Sequence, residues 1–150
     1  MEYEIINVNN EFFKKVFDIV GIEFDRKFYT FSNDDIDELV KAIRQEAIST
    51  KGKELIFINK DENEFPSIGM DFKLGWSTII CYDEEEGCCY TVYNPKYEDS
   101  QKNAVVEIGG QSPVEEKFTL DNLEDAIHFI TYIIEHKKFP NTFVWAKTTW

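Results

Sequence analysis

Residues 120–150 read LDNLEDAIHFITYIIEHKKFPNTFVWAKTTW, and this stretch decides the fold. Asp121 suits a helix N-cap, and Glu124 three residues on completes a capping box of the Asp-x-x-Glu kind. Leu123, Ala126, Ile127, Ile130, Ile133 and Ile134 then recur at helical spacing on one face. Glu124, Asp125, His128, Thr131, Glu135 and His136 fall largely outside that face. His136, Lys137 and Lys138 place cations in the last turn, where the helix dipole favours them. Pro140 forbids continuation, and Thr142 to Lys147 has the composition of a strand. A capped amphipathic helix leading into an aromatic strand predicts a helix packed on a sheet.

Upstream, the period of the apolar residues changes twice. Phe12, Phe13, Val16, Phe17 and Val20 predict a helix over Glu11 to Val20, with Gly21 closing it. Ile22 to Phe31 alternates only partly, as a short strand or an extended loop would. A second helix begins at Ser32, capped through Asp35; Ile36, Leu39, Val40, Ile43 and Ala47 form its stripe, and it ends near Thr50 to Gly52. From Lys53 the period becomes two. Leu55 to Ile58 is a strand, and Ile68, Met70 and Phe72 alternate with Gly69, Asp71 and Lys73 in the next. Gly75 breaks that run, after which Trp76 to Tyr82 and Cys88 to Tyr93 form a hairpin around Asp83 to Gly87. Asn94 to Asn103 is irregular, Ala104 to Ile108 is a short strand, and Val114 to Leu120 is extended. Strands grouped apart from helices predict one α+β domain over residues 1–150. Its sheet is mostly antiparallel, of about five or six strands, with two N-terminal helices and one near the C-terminus packed on one face.

The chain has 150 residues, 43% of them hydrophobic, with thirteen Phe, seven Tyr and three Trp, which is enough for a core without staples. Its net charge of -13, from 16 Lys+Arg against 29 Asp+Glu, opposes direct contact with nucleic acid or anionic lipid and favours a basic partner. The same charge also serves an acidic soluble protein simply by opposing aggregation. Residues 1–10 lack the basic and apolar regions of a secretion signal, so the expected location is cytoplasmic. Cys81, Cys88 and Cys89 are an odd number with two adjacent, a poor disulfide framework, and are expected as reduced thiols.

The search for chemistry returns little. His128 and His136 are eight apart on one helix, too far to share a metal. With Glu85 at the hairpin tip, Cys81 would oppose Cys89 and Cys88 would oppose Tyr82, far short of a zinc pattern. Gly109-Gly110 lacks the Lys and Ser/Thr of a phosphate loop. The residues predict a non-enzyme with no cofactor, no metal and no catalytic residue. A hydrolase with dispersed carboxylates or a Cys81, Cys88 or Cys89 nucleophile is a third class, behind the binding readings below. What remains is a surface. Asp83, Glu84, Glu85 and Glu86 crowd one hairpin tip, and Asp61, Glu62 and Glu64 form a second acidic loop. Such a tip repels neighbouring sheets. It also mimics phosphates before a cationic groove, with Tyr82, Tyr90, Tyr93 and Trp76 as rigid contact area. Both readings stand on the residues alone.

Ala126-Ile127-His128-Phe129, then Phe139-Pro140 and Phe143-Val144-Trp145, resemble the C-terminal signature of a family of bacterial immunity proteins. It is the first-numbered immunity family of polymorphic toxin and contact-dependent growth inhibition systems. Phe65-Pro66-x-Ile68, Trp76, Tyr82 and the acidic turn closing in Gly87 are similar to its middle, so the resemblance touches residues 65–93 and 120–147. Family members carry a Gly in the turn after the helix, where His136-Lys137-Lys138 stands here, so another C-cap conformation is expected. The resemblance implies a cytoplasmic protein that binds and neutralises a cognate toxin domain, a nuclease or a nucleobase deaminase. The alternative is an intracellular acidic adaptor that binds a non-toxin partner through the same face.

Overall fold

Ile68, Met70 and Phe72 are buried while Gly69, Asp71 and Lys73 are half-buried, so period-two alternation gives this strand an apolar and a polar side. The computed structural model describes residues 2–7, 18–61 and 68–150, and these contain ten strands. These are β1 (Glu4–Ile6), β2 (Ile19–Phe24), β3 (Lys27–Tyr29), β4 (Lys53–Asn59), β5 (Ile68–Lys73), β6 (Trp76–Asp83), β7 (Cys88–Tyr93), β8 (Asn103–Ile108), β9 (Ser112–Glu115) and β10 (Val144–Thr149). Two α-helices appear among the described residues, α1 (Asn33–Glu46) and α2 (Leu123–His136). The class is α+β, with an antiparallel eight-stranded sheet in the order β1-β10-β7-β6-β5-β4-β2-β3 and a separate β8–β9 ribbon.

The main sheet thus has more strands than the five or six expected. Both of its edges, β1 and β3, are only three residues long, too short for a period-two pattern to register. β3 follows β2 through a two-residue turn, Asp25–Arg26, with both residues at positive φ (49° and 70°). Neither residue carries the Asn-Gly or Asp-Gly signal of such a turn. Of the helix expected over Glu11 to Val20, Phe12, Phe13, Val16 and Phe17 lie outside the described residues, as do Phe65 and Pro66. Ile19 and Val20 belong to β2 instead. Gly21 lies within that strand and caps no helix: an added Cβ would stand 2.4 Å from the Phe28 ring.

The helices cover one face. Ser32 caps α1 by accepting from Asp35 N–H at 3.2 Å, as its sequence predicts, although the helix ends at Glu46 rather than near Thr50. The α2 cap moves by one residue from the expected Asp121 to Asn122, whose Oδ1 accepts from Glu124 N–H at 2.9 Å. Tertiary partners explain the shift. Asp121 is taken by Lys96 Nζ (2.7 Å) and the Tyr97 hydroxyl (2.5 Å), and the Glu124 carboxylate accepts both Nε (3.2 Å) and Nη2 (2.6 Å) of Arg44 on α1. The buried stripe of α2 contains Ala126, Ile127, Ile130, Ile133 and Ile134 as predicted, and adds Phe129. At its end Lys137 takes the left-handed conformation itself (φ 54°, ψ 39°), with Nζ 4.4 Å from the centre of the Phe31 ring. The cap is therefore the ordinary left-handed one without its glycine.

Under the helices lies an aromatic core. Trp145 of β10 is 1% exposed, with the rings of Phe139, Phe129 and Phe143 at 5.4, 5.7 and 6.5 Å. The ribbon covers part of the opposite face. Thr78 Oγ1 donates to Phe118 O (2.8 Å), Lys73 pairs with Glu107 (3.5 Å), and Gly109 N–H donates to Asp71 Oδ1 (3.1 Å). Covered on both sides, the middle of β6 is buried without a break from Ser77 to Cys81.

Candidate protein-binding end of the sheet

Antiparallel order decides which loops meet. β4 and β6 run one way and β5 and β7 the other, so the β4–β5 and β6–β7 connections emerge at the same end of the sheet. Two strand spacings, roughly 10 Å, separate them. Asp61, just past β4, and the carboxylates of the β6–β7 hairpin, distant in sequence, are thereby brought to one end. Asp61 is exposed there, while Glu62 and Glu64 lie outside the described residues. Glu84, Glu85 and Glu86 are exposed on the hairpin, and Gly87 (φ 66°) lets the chain turn back into β7.

The hairpin register differs from the expected one by one residue. Asp83 pairs with Cys88, Tyr82 with Cys89 and Cys81 with Tyr90, so Cys81 does not oppose Cys89. A run of four carboxylates has no residue that marks its centre, and Gly87 at positive φ sets the turn. The shift sends Asp83 and Tyr90 inward, 5% and 6% exposed. Asp83 accepts from Glu86 N–H at 3.2 Å and so shapes the tip rather than presenting a charge. Tyr90 belongs to the core. Tyr82 is half-buried on the outer face beside the tip, where burial raises its hydroxyl pKa. Tyr93 and Trp76 sit at the other end of their strands; Tyr93 packs near Tyr3 and Phe118, and Trp76 against Tyr97.

One residue at this end escaped the reading of the sequence. Trp150 is 67% exposed, and its backbone N–H donates to Gly87 O at 2.9 Å, which keeps the residue beside the acidic turn. Alternation along β10 from the buried Trp145 is the signal that would have placed it on the outer face, with Tyr82. An exposed indole beside three exposed carboxylates is suited to a basic protein surface, where Trp stacks on Arg or Lys.

Cys81 and Cys88 are buried and Cys89 is half-buried, and burial pushes the Cys81 and Cys89 thiols up, away from the thiolate a nucleophile needs. His128 and His136 are both exposed; His128 stacks on Phe143 and His136 packs on Tyr132. Among the described residues no group of three His, Cys, Asp or Glu could hold a metal ion, and no helix is long and apolar enough to cross a membrane. No model of a known protein family matches the chain, and no curated protein matches it.

Proposed function

We propose that this chain is an immunity protein that binds a cognate, basic, nucleic-acid-targeting toxin domain, a nuclease or a deaminase, and neutralises it. The observation that carries this reading is the convergence of Asp61, Glu84, Glu85 and Glu86 with the exposed Trp150 at one end of the sheet. A net charge of -13 supports it, because such a field steers a basic partner and raises the rate of capture. The acidic end would occlude the toxin's active or substrate-binding cleft, with carboxylates where phosphates would lie and the indole as anchor. Neutralisation by binding needs no catalytic residue or cofactor of its own.

The test is calorimetric titration of the purified chain with the cognate toxin domain, sought among the neighbouring genes, at low and high salt. The triple variant Glu84→Lys/Glu85→Lys/Glu86→Lys should weaken binding at least tenfold and flatten its salt dependence. Unchanged affinity and salt dependence would reject this end as the interface. Failure of the chain to protect cells producing that toxin would leave the acidic adaptor as the better reading.

A further inference from the structure

Asp71 lies on the outer face of β5 beneath the turn of the β8–β9 ribbon, accepting from Gly109 N–H at 3.1 Å. Its direct cross-strand neighbour on β4 is Glu54, and an added Cβ at Gly109 would stand 3.7 Å from Glu54 Oε1. Like charges directly opposite each other on a sheet destabilise it. Other charged or titratable groups surround the pair. Lys73 on β5 is held by Glu107 of β8, Tyr82 of β6 senses the Asp71 charge, and a cleft of about 540 Å³ beside them is lined also by Glu23, Asp25, Arg26, Lys51 and Lys53. Lys53 is engaged by Asp25 at 3.2 Å, leaving Asp71 with the Gly109 N–H as its hydrogen-bonded counterpart across the ribbon interface. The base of the ribbon is fixed, through Thr78 to Phe118 O and the Ser77–Leu120 bridge. Its middle is seated by Val106 and Val114, both buried. The tip, Ile108 to Ser112, rests on the carboxylate.

We propose that the β8–β9 ribbon is a proton-responsive flap, seated more firmly when Asp71 is protonated and released more readily when Asp71 is ionised. Seating the tip removes a carboxylate from water beside a second carboxylate and returns a single N–H. Burial, which outweighs the Gly109 hydrogen bond and is reinforced by the Glu54 charge, raises the Asp71 pKa to about 6 from its ordinary 3.8. The closed flap therefore binds the proton more tightly than the open one. Its closure is strongest below about pH 4, weakens as pH climbs through the interval up to about 6, and levels off above it. Opening withdraws Ile108 and Pro113 from one wall of the groove lined also by Tyr3 and Phe118.

Hydrogen exchange of the full chain, followed from pH 4.5 to 7.5 and corrected for intrinsic rates, tests the flap. Protection of the β8–β9 amides should fall about tenfold or more over that range while the α2 amides keep theirs. In Asp71→Asn, which retains an acceptor for Gly109, the ribbon should stay protected at pH 7 and the slope should vanish. Glu54→Gln should move the midpoint to lower pH. A flat wild-type profile, or an unchanged slope in Asp71→Asn, would overturn the proposal; if that variant fails to fold, an unmoved midpoint in Glu54→Gln would do so.

Discussion

On the helix side of the sheet, Trp145 is enclosed by Phe129, Phe139 and Phe143, and Phe57 meets Phe129 edge-on. On the ribbon side, two buried valines are joined by an exchangeable set of polar contacts: Thr78 to Phe118 O, Lys73 to Glu107, and Gly109 to Asp71. Apolar burial scales with area and carries no charge to titrate, whereas polar contacts return little net free energy and the charged ones among them respond to pH and to screening by salt. One sheet therefore has a face that holds the molecule together and a face that can respond to conditions.

The largest expected effect lies on the helix side. Trp145→Ala should cost about 3–5 kcal/mol of stability by urea denaturation, because a large buried ring leaves a cavity that its aromatic neighbours cannot fill. Val106→Ala in the ribbon removes two buried carbons and should cost about 1–2 kcal/mol. Equal losses for the two would erase the distinction between the faces. Asp71→Asn should stabilise the protein at pH 8 by about 1–2 kcal/mol, the full shift being discounted because water still reaches the group. The sign follows from a folded pKa near 6 standing above the ordinary 3.8: the wild type loses stability as pH rises through that window, so the gain should disappear in melts at pH 4.

Asn122→Ala should cost about 1 kcal/mol through loss of the α2 cap, with thermal melts as the measure; no loss would return the cap to Asp121. Smallest is Lys137→Gly. Relief of the left-handed conformation is opposed by loss of the contact with Phe31, so the net gain should be about 0.5 kcal/mol or less.

Legibility in the sequence followed the same division. The helix side was readable because its signals are local: the stripes of α1 and α2, the Ser32 cap and the alternation of β5 all repeat within one element. The ribbon side was not. That Val106 and Val114 bury against the sheet, or that Asp71 lies under Gly109, depends on which elements stack, and neither leaves a periodic trace. The candidate interface was half legible. Four carboxylates at the hairpin and a further set after β4 were plain, and alternation from Trp145 marks Trp150, but inward-facing Asp83 and Tyr90 follow from a register that a run of like residues does not encode.

Residue pattern alone specifies an α+β chain of strongly acidic character, a capped helix packed by its isoleucines and an aromatic strand after it, because periodicity and caps act within a few residues. Packing settles the rest: that the main sheet has eight strands among the described residues, that Asp61, the hairpin carboxylates and Trp150 share one end, and that Asp121 and Glu124 leave the helix cap for Lys96, Tyr97 and Arg44. Those outcomes are competitions between partners distant in the chain, and they are settled by which charged and hydrogen-bonding groups the packed core brings within reach.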